Sequence, residues 1–186
     1  MSLYSNVNSS GFMDFNGTTY FNEMKTMVDA AIEKLLKEKP DYEVFAISIW
    51  TDANAAASSF NIDSKKNSDE KVDQSNKWSE KYYQQYIAEG DLEQAKLFEP
   101  TAARNCNPAD FDLRDFEEIN NLSIPEDWEE ETEGQCWDLL DPILQQIGDY
   151  AFEKSAELKR HPDFELAVNG REDWYEFTWP KNKENG

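Results

Sequence analysis

Val44, Phe45, Ala46, Ile47, Ile49 and Trp50 form the most continuous apolar run in an otherwise polar chain. The run does not alternate, so both faces of an extended segment are apolar, which predicts a strand covered on both sides. Thr51, Asp52 and Asn54 supply turn chemistry, and Ala55–Ile62 reads as a second, weaker strand returning beside the first. Upstream, Phe21, Met24, Met27, Val28, Ala31 and Leu35 recur at helical spacing, with Glu23, Lys25, Glu33, Lys34 and Lys37 on the polar side. This predicts a helix over 18–38, capped by Thr18 or Thr19 and stopped by Pro40, with its apolar stripe on the sheet.

Beyond the hairpin, residues 63–77 are polar and read either as a loop or as the first turns of a helix. Trp78, Tyr82, Tyr83, Tyr86 and Ile87 then mark a helical face that ends near Gly90. Asp91 caps a short continuation to Phe98. With no interleaved run of Arg and Lys to hold nucleic acid, this aromatic stripe is assigned to the core. Ser123-Ile-Pro-Glu126 and Thr132-Glu-Gly-Gln135 have the form of capping boxes. The late helix starts after the second box or at Asp141-Pro142, and runs to about Lys159 through Ile143, Leu144, Ile147, Ala151 and Leu158. Phe164–Val168 and Trp174–Trp179, separated by Asn169-Gly170, predict two further strands.

Composition fits a folded chain with an acidic surface. The 186 residues suit one domain, and an aromatic content of 13% argues for a packed core despite the charge. Thirty-nine acidic residues stand against 18 basic ones, for a formal net charge of −21, which repels nucleic acid and anionic membrane. Residues 107–134 hold eleven acidic residues against Arg114 alone, a local net of 1 − 11 = −10. No apolar run approaches the ~20 residues of a membrane span, the N-terminus lacks the pattern of a signal peptide, and Cys106 and Cys136 form no metal or disulfide framework. A cytoplasmic location follows as the expectation. The N-x-S/T sequences at Asn8, Asn16 and Asn121 read as chance occurrences.

Catalytic motifs are few. The one histidine, His161, sits beside Pro162 at an expected helix end, where it complements the helix dipole, and no Gly-x-Ser-x-Gly or Cys-His arrangement frames it. Asp110, Asp112 and Asp115 resemble a calcium loop only superficially, because Arg114 and Phe116 break the ligand spacing. No glycine-rich phosphate loop is present. No cofactor and no metal are expected. The remaining candidate is an interaction surface. Asp110, Asp112, Asp115, Glu126, Asp127, Trp128, Glu129, Glu130, Glu131 and Glu133 place an aromatic anchor in an acidic rim, which suits a basic protein partner. Asp52 and Asn54 stand as outside candidates.

The helix, then Ile47-Ser-Ile-Trp-Thr51-Asp52 with Ala55–Asn61, the Trp78 segment and the late helix followed by strands, together resemble a bacterial family catalogued as domain of unknown function 4303. The likeness covers about residues 20–180 and departs in the reduced Trp78 segment and the acidic middle. The family implies no established activity. Some members resemble small acidic proteins found beside polymorphic toxin genes, which implies an immunity role.

These readings converge on one α+β domain over 18–180, flanked by a flexible arm at 1–17 and a tail at 181–186. Its mainly antiparallel sheet comes from Glu43–Asp63 and Phe164–Trp179, packed by the helices at 18–38 and 141–159. The expected function is a non-catalytic, acidic protein-binding protein of the immunity type that neutralises a cognate toxin. The alternative is a carboxylate- or metal-dependent hydrolase of unknown substrate.

Overall fold

Two helices cover one face of a five-stranded sheet in a computed structural model that describes residues 15–100 and 104–181. The expected flexible arm and tail fall almost wholly outside the described residues; Phe15, Asn16 and Gly17 are exceptions at one end, Lys181 at the other. Helix α1 spans Gly17–Glu38. Its N-cap is Asn16, whose side chain accepts from the Thr19 amide at 3.1 Å, so the cap lies just before the two threonines expected to provide it. Strand β1 (Val44–Thr51) turns into β2 (Ala57–Asp63), and the long helix α2 (Lys65–Glu89) and short helix α3 (Leu92–Lys96) follow. Strand β3 (Leu113–Asn120), the single turn α4 (Trp128–Glu131), helix α5 (Trp137–Lys154), β4 (Arg160–Val168) and β5 (Phe177–Trp179) complete the order.

The sheet order is β3-β2-β1-β4-β5, with β1 and β4 parallel and the other neighbours antiparallel. This is a single-domain α+β fold. Alternation along the strands sorts their side chains. Ile47, Ile49, Phe60, Ile62, Leu166 and Val168 join α1 (Met24, Met27, Val28, Ala31, Ile32, Leu35) and α5 (Leu140, Leu144, Ile147, Ala151) in the main core. The second sheet face carries Ser48, Trp50, Ser59, Asn61 and Ala167. Near it, a small cluster of Phe45, Ala46 and Phe111, packed by Tyr175, makes a separate apolar patch. Arg104 lies over the Phe45 ring at 3.9 Å and pairs with Glu165 at 3.4 Å.

Four expectations need correction. Leu113–Asn120 form an edge strand, which the sheet expected from Glu43–Asp63 and Phe164–Trp179 left out. The packing helix expected at 141–159 runs from Trp137 to Lys154: it takes the earlier of the two expected starts, just after the second capping box, so Pro142 lies inside it, and it stops short of Lys159. His161 belongs to β4, past the end of α5 at Lys154; its Nδ1 accepts from the Asp163 amide and its ring meets Phe45 edge-on, so it does not cap the late helix. The stripe assigned to the core is largely outside it. In α2 only Ser68 is buried, and Trp78 is 56% exposed. Phe98, folded back beyond α3, packs on Trp78, Tyr82 and Tyr86 instead.

Candidate functional site

The acidic residues divide between the two ends of β3. At its start, Asp112 accepts from the Tyr42 hydroxyl at 3.0 Å and the Ser64 hydroxyl at 2.9 Å. Asp110 takes Lys71 at 3.6 Å and the Asn107 amide at 2.9 Å. Both carboxylates thereby tie the β3 end to the β2–α2 junction. The buried Asp63 anchors the same junction: its Oδ1 accepts from Asn67 at 2.7 Å, Ser64 at 3.0 Å and the Asp112 amide at 3.2 Å. Burial pushes the Asp63 carboxyl up, against the lowering effect of these bonds.

Past the far end of β3, a strand of eight residues and so about 26 Å long at most, lies the second acidic group. Trp128 sits at its centre but supplies no surface. Its exposure is 0%, and its indole stacks on Phe15 with centroids 4.4 Å apart. The expected partner-contacting anchor is therefore a core residue, drawn inward onto Phe15 and into the main core. Local bonds hold the carboxylates around it. Asn54 accepts from the Glu129 amide at 2.8 Å, Thr132 donates to the Trp128 carbonyl at 2.7 Å, and the Cys136 amide donates to the Thr132 hydroxyl at 3.1 Å. Asp127 and Glu133 take left-handed backbone (φ 54° and 53°), which brackets the helical turn. Glu126, Asp127, Glu129, Glu130, Glu131 and Glu133 make no ion pair among the described residues. By contrast, Asp110, Asp115 and Glu117 pair with Lys71, Arg114 and Lys34. Asp52 and Asn54 are turn-forming residues: Asp52 Oδ1 accepts from the Ala56 amide, and Asn54 positions α4.

The second sheet face opens into a groove. A cleft of about 340 Å³ is lined by Trp50, Ser59, Asn61, Pro108, Asp115 and Trp174, with Arg114 at its side. It adjoins a cleft of about 190 Å³ that shares Trp50, Ser59 and Asp115 and adds Glu118 and Asn120. Asp115 is set by a bulge. The β2–β3 register slips between Phe60 and Ile62, Asp115 takes φ 48°, and its amide donates to Asn61 Oδ1 at 2.8 Å. The Asn61 amide nitrogen in turn donates to the Ser48 carbonyl and the Ser59 hydroxyl. Arg114 rests its Nε 3.2 Å from Asp115 Oδ2.

Of the residues singled out in the sequence, the groove gathers Asp115 alone. Trp50, Trp174 and Glu118 join it unannounced. The signal for Trp50 was in β2: Ser59, Asn61 and Asp63 alternate with Phe60 and Ile62, so one sheet face is polar, and Trp50 opposite Ser59 belongs to it. Among the described residues no group of three or more His, Cys, Asp or Glu is placed to hold a metal ion. No helix there is long and apolar enough to cross a membrane. Comparison with family models, with curated proteins and with solved structures finds no match.

Proposed function

We propose that this chain is a non-catalytic protein-binding protein that receives a basic partner in the cytoplasm, and that the partner is a toxin held inactive by the complex. The observation that carries the reading is the α4 strip. Six carboxylates stand there on a hydrogen-bonded frame over a buried tryptophan, without ion-pair partners among the described residues. Crowding like charges raises the energy of the free protein, and a basic surface relieves that repulsion on binding. A field of this size also steers a basic protein to the strip at high on-rate. The immunity part of the reading extends the resemblance drawn from Ile47–Asp52 and Ala55–Asn61 and is itself part of the proposal.

The test is Glu129→Gln, Glu130→Gln and Glu131→Gln together. The wild-type chain and the triple variant are used in parallel to capture partners from the native cell, and the affinity of the protein recovered is then measured against salt. The variant is expected to bind about a hundredfold more weakly, with a shallower salt dependence. Equal affinity and equal salt slope would remove the strip from the interface.

A further inference from the structure

We propose that the groove on the second sheet face is a socket for a guanidinium side chain, so that an arginine of a basic polypeptide anchors there. The proposal rests on the basic-partner reading and gives that partner a specific point of attachment, separate from the α4 strip.

Four features converge on this ligand. Trp50 and Trp174 both line one cleft, and Trp174 is 55% exposed, so its ring is available to a ligand. Indole is the ring that best attracts a planar cation, and arginine is the side chain that most often exploits it. On the β3 side the groove carries the carboxylates of Asp115 and Glu118, the first held in place by the bulge and by its amide bond to Asn61. The chain's own Arg114 already lies against Asp115 with its side chain 59% exposed, so this carboxylate accepts a guanidinium in the free protein. An incoming arginine shares or displaces that contact.

Competing ligands fit less well. A neutral sugar needs several free hydrogen-bonding groups, whereas the Asn61 amide is engaged on both its oxygen and its nitrogen. An anion would meet Asp115 and Glu118 within a molecule of net charge −21, with only the paired Arg114 in its favour. The larger cleft, about 340 Å³, matches the low end of ligand-sized sites.

The experiment follows the indole N–H signals of the full chain by NMR at about 0.15 M salt, the ionic strength at which weak surface attraction is screened. The signals are assigned with Trp50→Phe and Trp174→Phe. The probe is N-acetyl-arginine amide; the matching leucine and glutamate amides are controls. The arginine probe is expected to shift the Trp50 and Trp174 signals saturably. A D115N/E118Q variant should weaken the effect roughly tenfold, and Arg114→Ala should tighten it by roughly threefold, as removal or release of a charge partner requires. No shift at these two indoles, or an equal shift with either control, overturns the proposal. The α4 triple variant should titrate within about twofold of wild type, because charges beyond a Debye length are screened; loss of the shifts there would also overturn the groove assignment. A silent groove with a working strip refutes the socket and leaves the basic-partner reading standing. A working groove with a dispensable strip does the reverse for the strip.

Discussion

Trp128→Ala removes an indole that has no exposed surface and stacks on Phe15, so unfolding experiments should show a loss of about 3–5 kcal/mol. A surface anchor would instead lose binding and keep stability, and a loss under about 1 kcal/mol would count against its burial. Gly148 gives a second residue-scale prediction. A Cβ there would stand 2.0 Å from the Trp179 ring, whose indole N–H donates to Asp149 at 2.7 Å. Gly148→Ala should therefore cost about 1–3 kcal/mol by overpacking, measured by denaturant unfolding. Asp63 is a pH-sensitive residue. Its pKa is raised in the fold, so the folded chain binds more protons than the unfolded one between the two values, and its contribution to stability declines as pH rises through that window. Asp63→Asn should gain on the wild type as pH climbs above the ordinary carboxylate range, and a difference independent of pH would show that burial does not govern this group. None of these roles is visible in a linear reading. Trp128 reads as a surface anchor because its sequence neighbours are carboxylates, whereas its burial depends on Phe15 and a main core assembled from segments far along the chain.

At the scale of elements, α1 was legible because a full apolar stripe meets the sheet along its length, and β1 because its apolar run is buried among four other strands. β3 was not. Its buried or core-packed positions, Leu113, Phe116 and Ile119, fall three apart because of the bulge at Asp115, which erases the period of two that marks a strand. Its charges also have an edge-strand reason, since carboxylates discourage pairing with another chain. α2 misled in the opposite direction. Its aromatic stripe has helical spacing but packs on Phe98 and α3 and little else, while the helix is fixed to the body near Ser68, whose hydroxyl accepts from the Asn105 amide at 3.0 Å. Amides from about Val72 to Glu89 should thus exchange with deuterium well before those of α1 and β1, because few buried contacts oppose local opening. Equal protection across α1 and α2 would show that α2 folds as one unit with the core.

For the whole molecule, charge sets the response to solvent. The net of −21 makes the compact state repel itself, so added salt or a fall in pH toward the pI of about 4.3 should raise the melting temperature. The raised carboxyls of Asp63 and Asp141, both pushed up mainly by burial, act in the same direction. Asp149 opposes them. Although its partial burial acts to raise its pKa, Lys181 and Trp179 hold it below the ordinary value, so its contribution is lost only as pH falls below the usual carboxylate range. A melting temperature that is flat from about pH 8 to pH 5 would mean that these charges are too well solvated to matter. The acidity itself was plain in the composition; its distribution was not. Asp110 and Asp112 serve a strand junction, while the carboxylates around α4 remain unpaired among the described residues, and only the three-dimensional arrangement separates the two.

The parallel pairing of β1 with β4 bears on synthesis. β1 acquires its β2 neighbour at once, but its other edge is filled by a strand translated far later. Until Arg160–Val168 leaves the ribosome, the most apolar strand of the protein presents a row of open amides and carbonyls, a template for nascent-chain aggregation. A chain ending before Arg160 should accumulate in the insoluble fraction or on chaperones, even though it retains α1, β1–β3 and α5 in full.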